Sequence, residues 1–263
     1  VKKRNLFIGI GVVLLVAAAV CLWQVVKSTY APKTVLSEQV ATATAEPEST
    51  QTEDTEEEET DEDAVVVTET YGSDIDFDAL RSINSDIYGW IEIDGTNISY
   101  PIVQSSDDDT YYLTHNSDGQ YSANGSIYSE HAYNTTDFSD PVTVLYGHHM
   151  SSGAMFGKLQ QYYADAAFFE DNPIITIYTP DATLEYGVFA AVPYGSEHLL
   201  YNNDFTDENS FRYFFEAVMN IRSLNAQFRE EYAPQPGDNV LVLSTCLAGD
   251  NSRRFLVMAT LLS

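Results

Sequence analysis

The chain's 263 residues suffice for one large domain or two small ones, and 40 acidic against 12 basic side chains give a formal net charge of −28. Only seven of the cations lie beyond Lys33, which excludes a nucleic-acid binder for want of a basic patch to meet phosphates. Two cysteines, Cys21 and Cys246, exclude a disulfide-rich scaffold as well. Along the chain, Lys2, Lys3 and Arg4 precede an apolar run over 6–23, and Gln24 is followed by two valines. A run of this length crosses a bilayer core of about 30 Å. Its flanking cations place a short tail (1–5) in the cytoplasm and everything beyond the anchor (6–26) outside a single-pass cell membrane. A cleaved signal peptide is the competing reading. The apolar stretch is long for one, and no small-x-small cleavage site closes it. Residues 27–73 are rich in Thr, Ala, Glu and Asp, with an almost unbroken acidic tract over 53–63. They are too charged to bury a core and predict a disordered, self-repelling stalk.

Folded sequence starts near Asp74. Phe77, Leu80 and Ile83 at helical spacing predict a helix over 76–86. Strands follow at 87–93 and 98–103 around the turn Asp94-Gly95-Thr96-Asn97, then at 125–129 and 142–146. Residues 156–169 have helical periodicity, and 174–178 and 184–192 return to strand character, ending at Pro193. An amphipathic helix over 207–223 carries Phe211, Phe214, Phe215 and Val218, aromatic spacing that reads as core packing. The last two strands are 240–245 and 254–261. Many strands, few short helices and no strand–helix alternation predict a mostly antiparallel barrel or sandwich with helical insertions.

Three side chains stand at strand ends. Cys246 closes Val240-Leu241-Val242-Leu243-Ser244-Thr245, His148 follows Tyr146-Gly147, and Arg254 opens Phe255-Leu256-Val257-Met258. Each has a plainer reading alone: a buried thiol, a solvent-facing imidazole, an arginine paired with one of many carboxylates. Together they are the parts of a thiol acyl-transfer site, with a nucleophile, a proton-shifting partner and a fixed charge for a developing oxyanion. His149 competes with His148, and Arg253 with Arg254. Strand alternation sends the two arginines to opposite faces, so only one of them meets the thiol. His115, His131 and His198 lack ligand spacing, so neither a metal nor a cofactor is predicted.

Leu243-Ser244-Thr245-Cys246 followed by Arg254-Phe255-Leu256-Val257 resembles the active-site motif of sortases, the membrane-anchored cysteine transpeptidases of Gram-positive bacteria. Tyr146-Gly147-His148 is similar to the family's histidine motif. Asn84-Ser85-Asp86-Ile87-Tyr88-Gly89-Trp90-Ile91, the segment over 95–104, Gly125-Ser126-Ile127-Tyr128 and Met155-Phe156-Gly157-Lys158-Leu159 resemble class B members. The resemblance covers 74–263, all of the expected catalytic domain. It favours His148 over His149 and Arg254 over Arg253. One departure stands out: Leu247 follows the cysteine where many class B members carry a polar residue.

The resemblance implies a closed antiparallel or mixed β-barrel with an N-terminal helix and a helix between the last strands. It also implies catalysis by Cys246, His148 and Arg254, with Ser244 and Thr245 lining the substrate groove. The thiol attacks a Thr carbonyl in the C-terminal sorting signal of an exported protein, forms a thioacyl enzyme, and passes the protein to a peptidoglycan amine. The partners implied are sorting-signal-bearing surface proteins, a cell-wall precursor and the membrane. A pilin lysine as acceptor and a catalytically inactive binding module are the alternatives.

Overall fold

The computed structural model describes residues 75–263; the expected tail, anchor and stalk lie outside the described residues. Among the described residues no helix is long and apolar enough to cross a membrane. Helix α1 (Phe77–Ile83) opens with Asp76, whose carboxylate accepts the Ala79 amide as an N-cap. Strands β1 (Ile87–Glu92) and β2 (Ser99–Val103) form an antiparallel pair, with Pro101 inside β2 opposite Trp90. After β3 (Ile127–Tyr128) and β4 (Val142–Tyr146) come two short helices, α2 (Leu159–Tyr163) and α3 (Ala166–Asp171). The periodicity over 156–169 is thus two helices. Asp165 caps α3 by accepting the Phe168 amide, which ends the first helix and starts the second.

Strand β5 (Ile174–Tyr178) leads to β6 (Thr183–Tyr194), then α4 (Leu199–Asn202), α5 (Glu208–Met219) and β7 (Gln227–Phe228). The hairpin β8 (Val240–Leu247) and β9 (Asp250–Leu261) closes the fold. Helix α5 therefore lies between β6 and β7, ahead of the final hairpin. Strand β6 runs through Pro193, which pairs with Phe255 of β9. On its other edge β6 pairs with β5 up to Gly187 and with β7 at Ala190 and Ala191, so the proline's missing N–H removes no ladder bond there.

The sheet order β5-β1-β2-β3-β4-β8-β9-β6 closes through a β5–β6 pairing into an eight-stranded barrel, with β7 added to β6. Pairs β2–β3 and β4–β8 are parallel and the rest antiparallel, so the barrel is mixed. Alternation divides the β8–β9 wall. Leu241, Leu243, Leu247, Phe255, Val257 and Ala259 fill the barrel, while Val240, Val242, Leu256 and Met258 face outward under Phe211, Phe215 and Val218 of α5. A wall buried on both faces reads as a near-continuous apolar run, as these strands do. Each fully buried phenylalanine of α5 contributes roughly 1.5–3 kcal/mol from burial.

Candidate active site

Parallel pairing of β4 with β8 builds the site. Tyr146 is registered with Ser244, and the Gly147 amide extends the ladder to the Ser244 carbonyl at 3.1 Å. Two residues past that pair stand His148 on one chain segment and Cys246 on the other. Gly147 is required by packing: a Cβ there would lie 2.6 Å from both Ile127 Cδ1 and Phe156 Cδ2. The antiparallel β8–β9 register then sets Arg254 opposite Cys246, with Nη1 3.7 Å from Sγ. Nη1 also donates to the carbonyls of Asn251 (3.2 Å) and Arg253 (3.3 Å), which hold the guanidinium beside the thiol. Cys246, His148 and Arg254 are each half-buried and line one cavity of about 360 Å³ on the outer face of the barrel, beyond the cover of α5.

His148 is anchored from outside its own strand. Nε2 lies 2.8 Å from the Leu113 carbonyl oxygen, which only accepts, so Nε2 carries the hydrogen and Nδ1 is the nitrogen left for proton transfer. Leu113 ends a 3₁₀ turn, Tyr111–Leu113, that sequence periodicity does not reveal. Gly125, at φ +59°, lets that turn approach: a Cβ would meet the Tyr112 and Leu113 oxygens at 2.6 and 2.8 Å and His148 Cδ2 at 3.1 Å.

The competing residues go elsewhere. His149 pairs with Met155 and lines a separate groove with Met150 and Gly157. Arg253 is exposed and lines another groove with Arg222, on the far side of β9. Leu247 is buried in the barrel core and faces away from the thiol, so the departure after the cysteine leaves the cavity's shape alone. Ser244 shares the Cys246 face and lines the cavity. Thr245 borders it too, but alternation turns its side chain to the barrel interior, where Oγ1 is buried without a hydrogen-bond partner among the described residues.

Two lining residues, Glu130 and His198, have no motif to announce them. Glu130 Oε2 accepts from Tyr146 Oη at 3.1 Å and from His198 Nε2 at 2.8 Å, and all three face the cavity. Tyr128 stacks on Tyr146 with ring centroids 5.4 Å apart. His198 comes from the N-cap of α4, far along the chain, which is why histidine spacing gave no hint of it.

The Sortase domain family model matches residues 91–262, most of the described fold. The chain belongs to the sortase family. Sortase B of Listeria monocytogenes is 30% identical over 167 residues, 64% of this chain and 65% of its own length, so the match spans just under two thirds of that relative. Sortase B of Clostridium perfringens superposes with a TM-score of 0.62 at 27% identity, covering 72% of this chain and 100% of that structure. A Streptococcus pyogenes class B sortase involved in pilus biogenesis gives 0.60 at 27% identity, covering 72% and 98%. This sortase is therefore a class B member of a family of cysteine transpeptidases, and its cavity sits within the matched region.

Proposed function

We propose that this sortase cleaves the sorting signal of exported proteins at a Thr carbonyl and transfers them to a cell-wall amine. The observation that carries the reading is the meeting of Cys246, His148 and Arg254 in one cavity, with the thiol under the guanidinium and the imidazole pinned through Nε2. Cys246 passes its proton to His148 Nδ1 as Sγ attacks the carbonyl carbon, and Arg254 stabilises the resulting oxyanion, an interaction worth roughly 3 kcal/mol of barrier for one such donor. As the C–N bond breaks, His148 Nδ1 protonates the leaving amine and a thioester remains on Cys246. The acceptor amine then attacks the thioester, His148 takes its proton, and the thiol is released. Residues 6–26 anchor the enzyme with its catalytic domain outside the membrane, and residues 27–73 tether it near both substrates, which raises their effective concentration.

Cys246→Ala is expected to abolish cleavage of sorting-signal peptides, while the wild type shows the mass of a thioacyl adduct on Cys246. Undiminished turnover by the variant sinks the reading. A pilin lysine as acceptor is the second reading, supported by the likeness to the Streptococcus pyogenes sortase of pilus biogenesis. Mass spectrometry of the transferred product separates it from the peptidoglycan acceptor.

A further inference from the structure

The cavity that holds the thiol also holds a carboxylate, Glu130, with which no described Lys or Arg forms an ion pair. Glu130 stands two residues beyond β3, with its side chain 17% exposed. His198 has the position of a counter-ion, but its second ring nitrogen decides against that role. Nδ1 accepts the Tyr201 amide at 3.1 Å as the N-cap of α4, so it carries no hydrogen and the ring is the neutral Nε2–H tautomer. Tyr146 is neutral too, since burial and then the Glu130 charge push its phenol up. Two neutral donors thus orient the carboxylate without neutralising it. Arg254 lines the same cavity but forms no ion pair with Glu130; its Nη1 faces the thiol and two carbonyls. Glu197, on the exposed rim of the same cavity, adds a second negative charge.

Both hydrogen bonds to Glu130 fall on Oε2, so among the described residues Oε1 has no donor. Burial pushes the Tyr128 phenol up first; beyond that Glu130 pushes it up and Arg254 pulls it down, so both charges lie near one ring. A bound peptide that strips water from an unpaired carboxylate incurs a desolvation penalty. A cation on Oε1 removes that penalty, and a carboxylate in its place adds repulsion.

We propose that Glu130 is a cation subsite beside the thiol, binding an ammonium or guanidinium carried by one of the two substrates. The source is either a Lys or Arg side chain of the sorting signal or the acceptor amine, which docks as its ammonium and loses that proton to solvent before it attacks the thioester. This rests on the sortase reading above and adds the charge of the ligand to it.

The test uses the full chain in detergent micelles. In the first arm, quenched-fluorescent peptides keep Thr at the scissile position and carry Lys, Arg, Gln or Glu at each other position in turn. The expected result is a preference for Lys or Arg over Gln at one position of about tenfold or more in kcat/KM, carried mainly by KM. The preference compresses to within about twofold in Glu130→Gln and persists in Glu130→Asp. In the second arm, triglycine (an ammonium) and hydroxylamine (neutral) compete with water for the acyl enzyme. If the acceptor supplies the cation, the peptide preference is flat, and Glu130→Gln lowers transfer to triglycine about tenfold relative to hydroxylamine. The proposal is overturned if neither arm separates wild type from Glu130→Gln. Should that variant not fold, wild type decides: a cation preference in either arm that weakens with salt supports the subsite, and a preference absent or indifferent to salt overturns it. Binding of the same peptides to the Cys246→Ala chain, read by fluorescence anisotropy, measures charge preference without catalysis. If no peptide is cleaved, the transpeptidase reading fails while the cation subsite is still decided.

Discussion

Arg254 owes its place to three acceptors that converge on one nitrogen: the thiol at 3.7 Å and the carbonyls of Asn251 and Arg253. A lysine ammonium is a point charge on a flexible stem and cannot keep the planar reach of a guanidinium. Arg254→Ala is expected to lower kcat for peptide cleavage by about 100-fold or more, with Arg254→Lys recovering only part. Arg253→Ala, on the other face, stays within about twofold. Steady-state cleavage with titrated active thiol checks all three, and an unimpaired Arg254→Ala would move the oxyanion role to another donor. The doublet itself was legible in sequence, because strand alternation forbids both arginines from meeting one thiol. The orientation of His148 was not legible, since its partner is a main-chain carbonyl.

At the scale of elements, the site depends on a loop that carries no chemistry of its own. The turn Tyr111–Leu113 brings its last carbonyl to His148 only because Gly125 lacks a Cβ and sits at φ +59°. Gly125→Ala is expected to destabilise the fold by about 1–3 kcal/mol and to slow turnover as the Leu113 carbonyl is pushed from Nε2. Gly237→Ala is the control. Its φ of +101° also strains an alanine, but nothing lies within 4 Å of the added carbon, so stability falls and turnover per folded molecule holds. Denaturant melts and kcat measured together decide, and equal kinetic effects in both variants would remove the loop from the mechanism. Strands β4, β5, β8 and β9 were readable because both faces of the wall, or one face and a turn, demand apolar residues. The short α4 and the two-residue β7 were not, because few residues carry too little periodicity.

Across the whole molecule, buried phenols bind stability to pH. Tyr88, Tyr128, Tyr146, Tyr163 and Tyr186 are all pushed up from 10.0, chiefly by desolvation. Each favours the neutral form in the folded state. Their contribution is therefore fully present below pH 10.0 and is lost above it, where phenols of the unfolded chain ionise and native ones resist. Alkaline unfolding is expected to be cooperative, with phenolate absorbance from these five appearing together with loss of near-ultraviolet circular dichroism. A smooth titration centred on the ordinary tyrosine value, with the fold intact, would contradict their burial. The five come from both sides of the barrel wall and from its helical cover, so they report closure of the whole ring.

Sequence alone determined the thiol, its histidine motif, the strand that bears each, and the family they resemble, because those properties are local: residue type, alternation and the residues on either side. The tertiary structure decided which nitrogen of His148 is free, that Leu247 turns into the core, and that Glu130, Tyr146 and His198 share the thiol's cavity. Those outcomes follow from parallel pairing of β4 with β8 and from a helix cap on a distant loop. Contacts of that kind join residues far apart in the chain, and no local pattern encodes them.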